Sequence, residues 1–333
     1  YIRKITNLIQ NIYGVDLDDE AVEIAQLNLL LKALWKREKL PNLTHNIECG
    51  NSLISGNEEE FNKLSSEKQK EKRPFDWHKK FESVFNQGGF DVIIGNPPYI
   101  KEFVDKSVFD GLHGSPYYQG KMDIWTMFGC VAIDLLKDGG LFGFIAPNNW
   151  LTNAGASIFR DKILKEGEIL SFTDFGDFKV FDEAGIQTMI FIFRKGKPRE
   201  VYNLAYSKIT DKDIQKENLI EFLNSDKKLE FSGIENFNIE FKPKDFEGKL
   251  ISFVGFGKGN ILNKIEASRN FELQEDEVGQ GIVCPQENVL SQHLSVLENK
   301  SIKKGDGIFC LSGEEKNRLN LTEQEKNLIK PYF

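Results

Sequence analysis

Long apolar runs are missing from these 333 residues, and so is any excess of positive charge. No stretch approaches the length of a membrane span, and the amino-terminal residues lack a signal-peptide layout. The four cysteines, Cys49, Cys130, Cys284 and Cys310, are scattered without metal-ligand spacing, which fits a reduced cytoplasm and no metal site. The formal charge of −8 argues against a broadly basic nucleic-acid surface, although a local cleft can be basic on an acidic protein. Internal repeats are absent, and no glycine-rich turn precedes Gly14. Hydrophobic content of 40% is ordinary for a soluble globular chain, and the length suits one large domain plus part of another.

What is present centres on Phe90-Asp91-Val92-Ile93-Ile94-Gly95-Asn96-Pro97-Pro98-Tyr99. The β-branched run Val92 to Ile94 has no polar alternation and predicts a strand buried on both faces, as in a parallel sheet. The prolines cannot continue a ladder, and Pro97 pushes Asn96 into an extended conformation. A stiff loop just past the carboxyl end of a central strand follows, where open α/β sheets bind ligands. The side-chain carbonyl of Asn96 and the backbone carbonyl of Pro97 can accept the two N–H bonds of a planar substrate amine. Pro98 stiffens the pair, and Tyr99 offers a ring face for stacking. Such a site works by positioning and hydrogen bonding, with no prior deprotonation. A plain proline-rich turn after a core strand is the alternative.

Asn-Pro-Pro-Tyr after Phe-Asp-Val-Ile-Ile-Gly resembles the catalytic motif of the amino-methyltransferases. With Phe75-Asp76-Trp77 ahead of it, the chain resembles the large adenine-specific DNA methyltransferases of restriction–modification systems, the type IIG and TaqI-like group. The resemblance implies an α/β fold: a doubly wound, mainly parallel, Rossmann-like class I methyltransferase sheet. That sheet is expected to be incomplete at its amino terminus, with the first cofactor motif lying upstream of Tyr1. Residues 1–250 are the expected catalytic domain with its extension, and 251–333 the start of an α+β target-recognition domain. The implied activity is methyl transfer from S-adenosylmethionine to the amino group of a flipped adenine in double-stranded DNA. Cofactor binding by this piece is expected to be weak, no membrane is involved, and a nuclease domain can be fused in the parent chain. RNA-base or protein-glutamine methylation, or a non-catalytic DNA-recognition fragment, are the alternative readings. No Pro-Cys nucleophile for cytosine carbon-5 chemistry occurs.

Taken in order, residues 1–11 read as the tail of an amphipathic helix and Ile12–Asp16 as a strand ending in a carboxylate. The resemblance gives Asp16 the ribose hydroxyls of the cofactor and Leu17 its adenine ring; an acidic helix start is the other reading. A helix is expected from Asp19 to Lys36. Asn51, with Ser52, stands where the family has an Asp that accepts from the cofactor's adenine amino group, and an ordinary turn is equally open. Residues 56–74 read as a solvated linker or frayed helix, and Ile100–Gly120 as a mobile lid or a disordered loop. Lys121–Trp125 opens a helix running to Leu136, ended by Gly139-Gly140, and the resemblance turns Asp123 towards the cofactor. Leu141–Pro147, Ile169–Phe175 and Gln187–Phe193 read as strands, the last being the final clear core strand. Phe181, between the latter two, matches by its spacing the family's aromatic that packs on the extruded base; a satellite core is the alternative. Beyond Gly196 the pattern blurs. A strand at Val201–Tyr206 and helices at Leu219–Leu223 and Ile261–Ala267 are expected, then a turn into a strand at Gly279–Val283.

Overall fold

The computed structural model describes residues 10–33, 42–181, 185–225 and 231–253, with a few isolated positions between 303 and 322. The chain divides into two units, Tyr1–Asn260 and Ile261–Phe333. The second unit lies almost wholly outside the described residues, and with it the expected Ile261–Ala267 helix and Gly279–Val283 turn.

Two sheets make up the first unit. Strand β1 (Gly14–Asp16) pairs in parallel with β2 (Ile47–Cys49), and helix α1 (Asp19–Ala33) connects them. A charged helix, α2 (Ser66–Lys72), precedes β3 (Phe90–Gly95). Helix α3 (Trp125–Leu135) then runs straight into β4 (Leu136–Pro147). Helix α4 (Ser157–Lys165), β5 (Gly167–Asp174), β6 (Thr188–Lys195), β7 (Tyr202–Ile209), α5 (Lys216–Asn224) and β8 (Ile234–Phe241) follow. The larger sheet has the order β3-β4-β6-β5-β7-β8. Its β3·β4 and β5·β7 pairs are parallel, and β4·β6, β5·β6 and β7·β8 are antiparallel. The fold is α/β: helices α1 and α3 link the parallel pairs β1·β2 and β3·β4, while the antiparallel strand β6 leads from β5 to its parallel neighbour β7. No described helix is long and apolar enough to cross a membrane.

Aromatic rings dominate the core, as 27 phenylalanines in the sequence allow. Phe142, Phe144, Phe191 and Phe193 interlock across β4 and β6 and meet Trp125, Trp150 and Phe159 from the helical layer. Each such side chain contributes about 1.5–3 kcal/mol by leaving water, so this end of the sheet is a firm base for the loop after β3.

Several expectations need correction. Helix α3 stops at Leu135, and Gly139-Gly140 lie inside β4 as part of its irregular start, where the pairing jumps from Phe90↔Leu136 to Val92↔Leu141. The sheet does not end at β6: β7 and β8 extend it, because Tyr202, Leu204, Ile239 and Phe241 join the same core. Val92 and Ile94 are not buried on both faces but 57% and 82% exposed. Among the described residues β3 has a strand partner, β4, on one side only, and nothing covers the side chains of Val92 and Ile94, while Phe90 and Ile93 pack on the core. The presumed linker and lid are anchored to each other. Phe61, Phe109, Leu112 and Met122 are buried together with Ile54 in a second small core.

Candidate active site

The turn after β3 leaves Asn96 and Pro98 exposed, Pro97 buried and Tyr99 half-buried. Gly95 permits this close approach, since a Cβ there would come within 2.8 Å of the Phe144 ring. Tyr99 packs against the main core. Its hydroxyl lies 2.7 Å from Asn96 Oδ1 and 2.9 Å from the Ile145 carbonyl on β4, so its one proton is shared between two acceptors. Burial first, then the charge of Asp123, push the Tyr99 hydroxyl up to about 12, so it stays a donor. In this arrangement the oxygen of the Asn96 amide faces the phenol, and one lone pair of that oxygen remains for a ligand.

Asp123 reaches the same place through a short antiparallel contact. The Ile124 N–H donates to the Ile100 carbonyl at 3.0 Å and the Glu102 N–H to the Met122 carbonyl at 3.0 Å, which sets Lys101 opposite Asp123. Asp123 is 7% exposed, and its Oδ1 has no hydrogen-bond partner. Burial pushes its carboxyl up to about 6, against the opposing pull of the Trp125 N–H and of Lys101. An orphaned buried carboxyl oxygen beside an exposed amide is the least satisfied polar group of this region, and such groups call for a donor from a ligand.

The second cluster of sequence-predicted residues sits at the carboxyl ends of β1 and β2. Asp16 is exposed, and its Oδ1 accepts from the Asp18 N–H at 2.9 Å, leaving the other oxygen open. Leu17 is 50% exposed. Asn51 Oδ1 accepts from the Leu53 N–H at 3.0 Å in a local turn, which leaves its second lone pair and its NH2 open. Ser52 contributes its carbonyl to the Trp77 indole N–H at 3.1 Å. Phe75 fills the space beside Gly50, where a Cβ would meet it at 2.7 Å, and its N–H donates to Ile54. The Phe75-Asp76-Trp77 segment thus braces the β2 loop, with Asp76 capping the short helix Trp77–Lys80.

Arg73 is a residue that sequence reasoning missed. Held in the left-handed region at φ 46°, it donates through one nitrogen to the Leu17 carbonyl (3.0 Å), Asp19 (2.6 Å) and Cys49 Sγ (2.9 Å). It ties the loop after β1 to the end of β2. The hydrogen bonds of Cys49 and Arg73 hold the Asp19 carboxyl below its ordinary value. An open depression of about 590 Å³ is lined by Leu17, Asp18, Asp19, Glu20, Glu71 and Arg73, and neither Asp16, Asn51 nor the tetrapeptide borders it. Phe181 is half-buried and makes no ring contact with Tyr99; its neighbour Val180 packs on the cluster that also holds Ile145. The loop of Phe181 and the tetrapeptide thus share β4 as a support, but the side chains are not brought together.

The described structure thus carries a proline-flanked amide at the end of the parallel strand β3 and an exposed carboxylate at the end of β1. The family description "Eco57I restriction-modification methylase" matches residues 10–181, just over half the sequence. The chain belongs to that restriction–modification methylase family. It is 27% identical, over 79% of its length, to the Escherichia coli type II restriction enzyme and methyltransferase RM.Eco57I, of which it covers 27%. It is 23% identical, over 78% of its length, to the Haemophilus influenzae type II methyltransferase M.HindII, of which it covers 53%. The chain therefore spans about a quarter to a half of these curated relatives. Among solved structures, the M protein of type I restriction enzyme EcoKI is similar at a TM-score of 0.40 and 15% identity, over 64% of this chain and 38% of that one.

Proposed function

We propose that this chain carries the methyl-transfer site of a site-specific DNA adenine methyltransferase that uses S-adenosylmethionine. The observation that carries the reading is the exposed Asn96 amide at the end of β3, its oxygen 2.7 Å from the Tyr99 hydroxyl. Family membership supports the reaction type, and the chemistry of the turn supports an amine acceptor.

S-adenosylmethionine supplies an electrophilic methyl on a sulfonium. Asn96 Oδ1 and the Pro97 carbonyl accept the two N–H bonds of the adenine amino group and turn its lone pair outwards. Tyr99 holds the base plane. Drawing a base from the duplex costs a few kcal/mol; stacking on an aromatic recovers about 1–3 kcal/mol. The nitrogen loses its extra proton as the methyl bond forms, so no base strong enough to deprotonate a neutral amine is required. On the cofactor side, the free Asp16 oxygen suits a ribose diol and exposed Leu17 suits an adenine face. Asn51, with a second lone pair on its oxygen and an open NH2, suits the amino group or a ring nitrogen of that adenine. Asp123, with its orphaned oxygen, suits an N–H or O–H donor where cofactor and base meet. Phe181 joins the site only if the loop that carries it approaches the extruded base.

The test is methyl transfer by the full-length protein to duplex DNA, to RNA and to peptide amides, with Asn96→Ala alongside. Transfer to duplex DNA alone is expected. Asn96→Ala should lower the rate by at least about 10²–10³-fold, the usual effect of losing one fixed polar partner of the reacting group. Its thermal midpoint should be unchanged, because Asn96 is exposed. Methylation that survives the substitution removes the assignment.

A further inference from the structure

Directly after the tetrapeptide the chain makes a tight, backbone-closed turn. Its start is held by the Ile100–Ile124 and Glu102–Met122 hydrogen bonds described above. The Val104 and Asp105 N–H groups both return to the Lys101 carbonyl, at 2.9 and 3.2 Å. The Ser107 N–H and hydroxyl then close on the Asp105 carboxylate at 2.9 and 2.6 Å, and Phe109 is fully buried two residues later. A segment this firmly tied presents at its tip two apolar side chains, Phe103 at 74% and Val104 at 71% exposure. Single exposed apolar residues are ordinary, but here two stand together on a fixed turn within five residues of Tyr99.

The charges around the turn are sorted. Glu102 spends its oxygens on the Tyr118 hydroxyl and the Lys121 N–H, and Asp105 spends its own on Ser107. Lys101, Lys106 and Lys121 have no ion-pair partner among the described residues, and Lys101 Nζ sits 5.7 Å from the centre of the Phe103 ring. On a chain of net charge −8, three lysines without an ion pair among the described residues thus gather beside two exposed apolar side chains, with Asp123 and Glu102 acting on Lys101 and Lys106 at longer range.

We propose that the turn Lys101–Asp105 is a contact to duplex DNA: Phe103 and Val104 enter the base stack beside the nucleotide drawn to Asn96, while Lys101 and Lys106 meet phosphates. The proposal rests on the DNA-methylation reading above and names the element that holds the opened duplex. Apolar wedges set among cations are the combination by which proteins unstack a base step and hold the distorted duplex.

The experiment uses the full-length protein and a duplex carrying a site that the wild type methylates. A second duplex is identical except that the target adenine faces an abasic position, so little opening is needed. Phe103→Ser, alone and with Val104→Ser, should slow methylation of the paired duplex by about tenfold or more and leave the abasic duplex within about twofold of wild type. Lys101→Ala with Lys106→Ala should weaken binding of both duplexes and reduce the salt slope of log K by roughly 1 per lysine. Thermal midpoints should stay at the wild-type value, since the side chains are exposed. A Phe103→Ser protein that matches wild type on the paired duplex, or that slows equally on both duplexes, overturns the wedge. A wild type that methylates no DNA overturns the functional reading itself, and the wedge with it.

Discussion

Asn96 and Asp16 both stand at the end of a parallel strand, yet the strands keep different company. The turn of Asn96 grows from a sheet of six strands, with Gly95 pressed on Phe144 and Tyr99 bonded to Ile145. The loop of Asp16 grows from a three-residue strand with one partner, and residues 16–20 are all exposed. Its shape is kept by Arg73, Cys49 and the Asp18 N–H, which are polar contacts near water. The proposed acceptor side is thus set by apolar packing, which salt hardly affects, and the proposed cofactor side by a charged strap, which salt and substitution both loosen.

The comparison can be broken first at the strap. Arg73→Ala should weaken cofactor affinity by roughly tenfold through loss of its shared hydrogen bonds, with little change in the rate at saturating cofactor. Calorimetry together with a kcat-against-KM analysis would show it; a fall in kcat alone would move Arg73 to the acceptor side. Tyr99→Phe sharpens the other half. The ring and its packing remain, the hydroxyl is lost, and single-turnover methylation should drop by about fivefold with DNA affinity unchanged. An unchanged rate would mean that packing alone orients Asn96. The smallest effect concerns Asp123. Its carboxyl, pushed up to about 6 by burial, holds its proton more firmly folded than unfolded. Its contribution to stability therefore falls as pH rises from about 4 through 6. Asp123→Asn should match wild type below that window and exceed it above by about 1 kcal/mol, a linkage value reduced for screening by solvent and Lys101. Denaturant unfolding at pH 4 and pH 8 would read the difference, and a variant that is less stable at the higher pH would show that the charged form is welcome.

The strand that carries Asn96, and its end, were legible because their signals are local. Prolines fix backbone angles wherever they stand, and a β-branched run ending in Gly-Asn-Pro-Pro reads as strand and stop without any knowledge of neighbours. Asp16 was legible for the same reason, as the last residue of a short apolar run. Arg73 was not: its role depends on a left-handed backbone and on Leu17 and Cys49, 56 and 24 residues away. Nor was the anchoring of the two charged or glycine-rich stretches, since Phe61 and Phe109 acquire meaning only when they meet. At Asn51 the local turn was legible too, since its side-chain oxygen accepts from the backbone two residues on. The spacing that suggested Phe181 counts residues before a strand, and distance along a chain does not fix which side chains touch.

Val92 and Ile94 carry one more consequence. Their strand keeps an outer row of peptide groups and two aliphatic side chains facing water, which makes it a template for any extended segment that docks there. Whatever takes that berth lies a single strand spacing, about 4.8 Å, from the backbone that ends in Asn96. Under the proposed methyl-transfer reading, the occupant of that berth becomes a wall of the reaction chamber and shares in the selectivity of the amide.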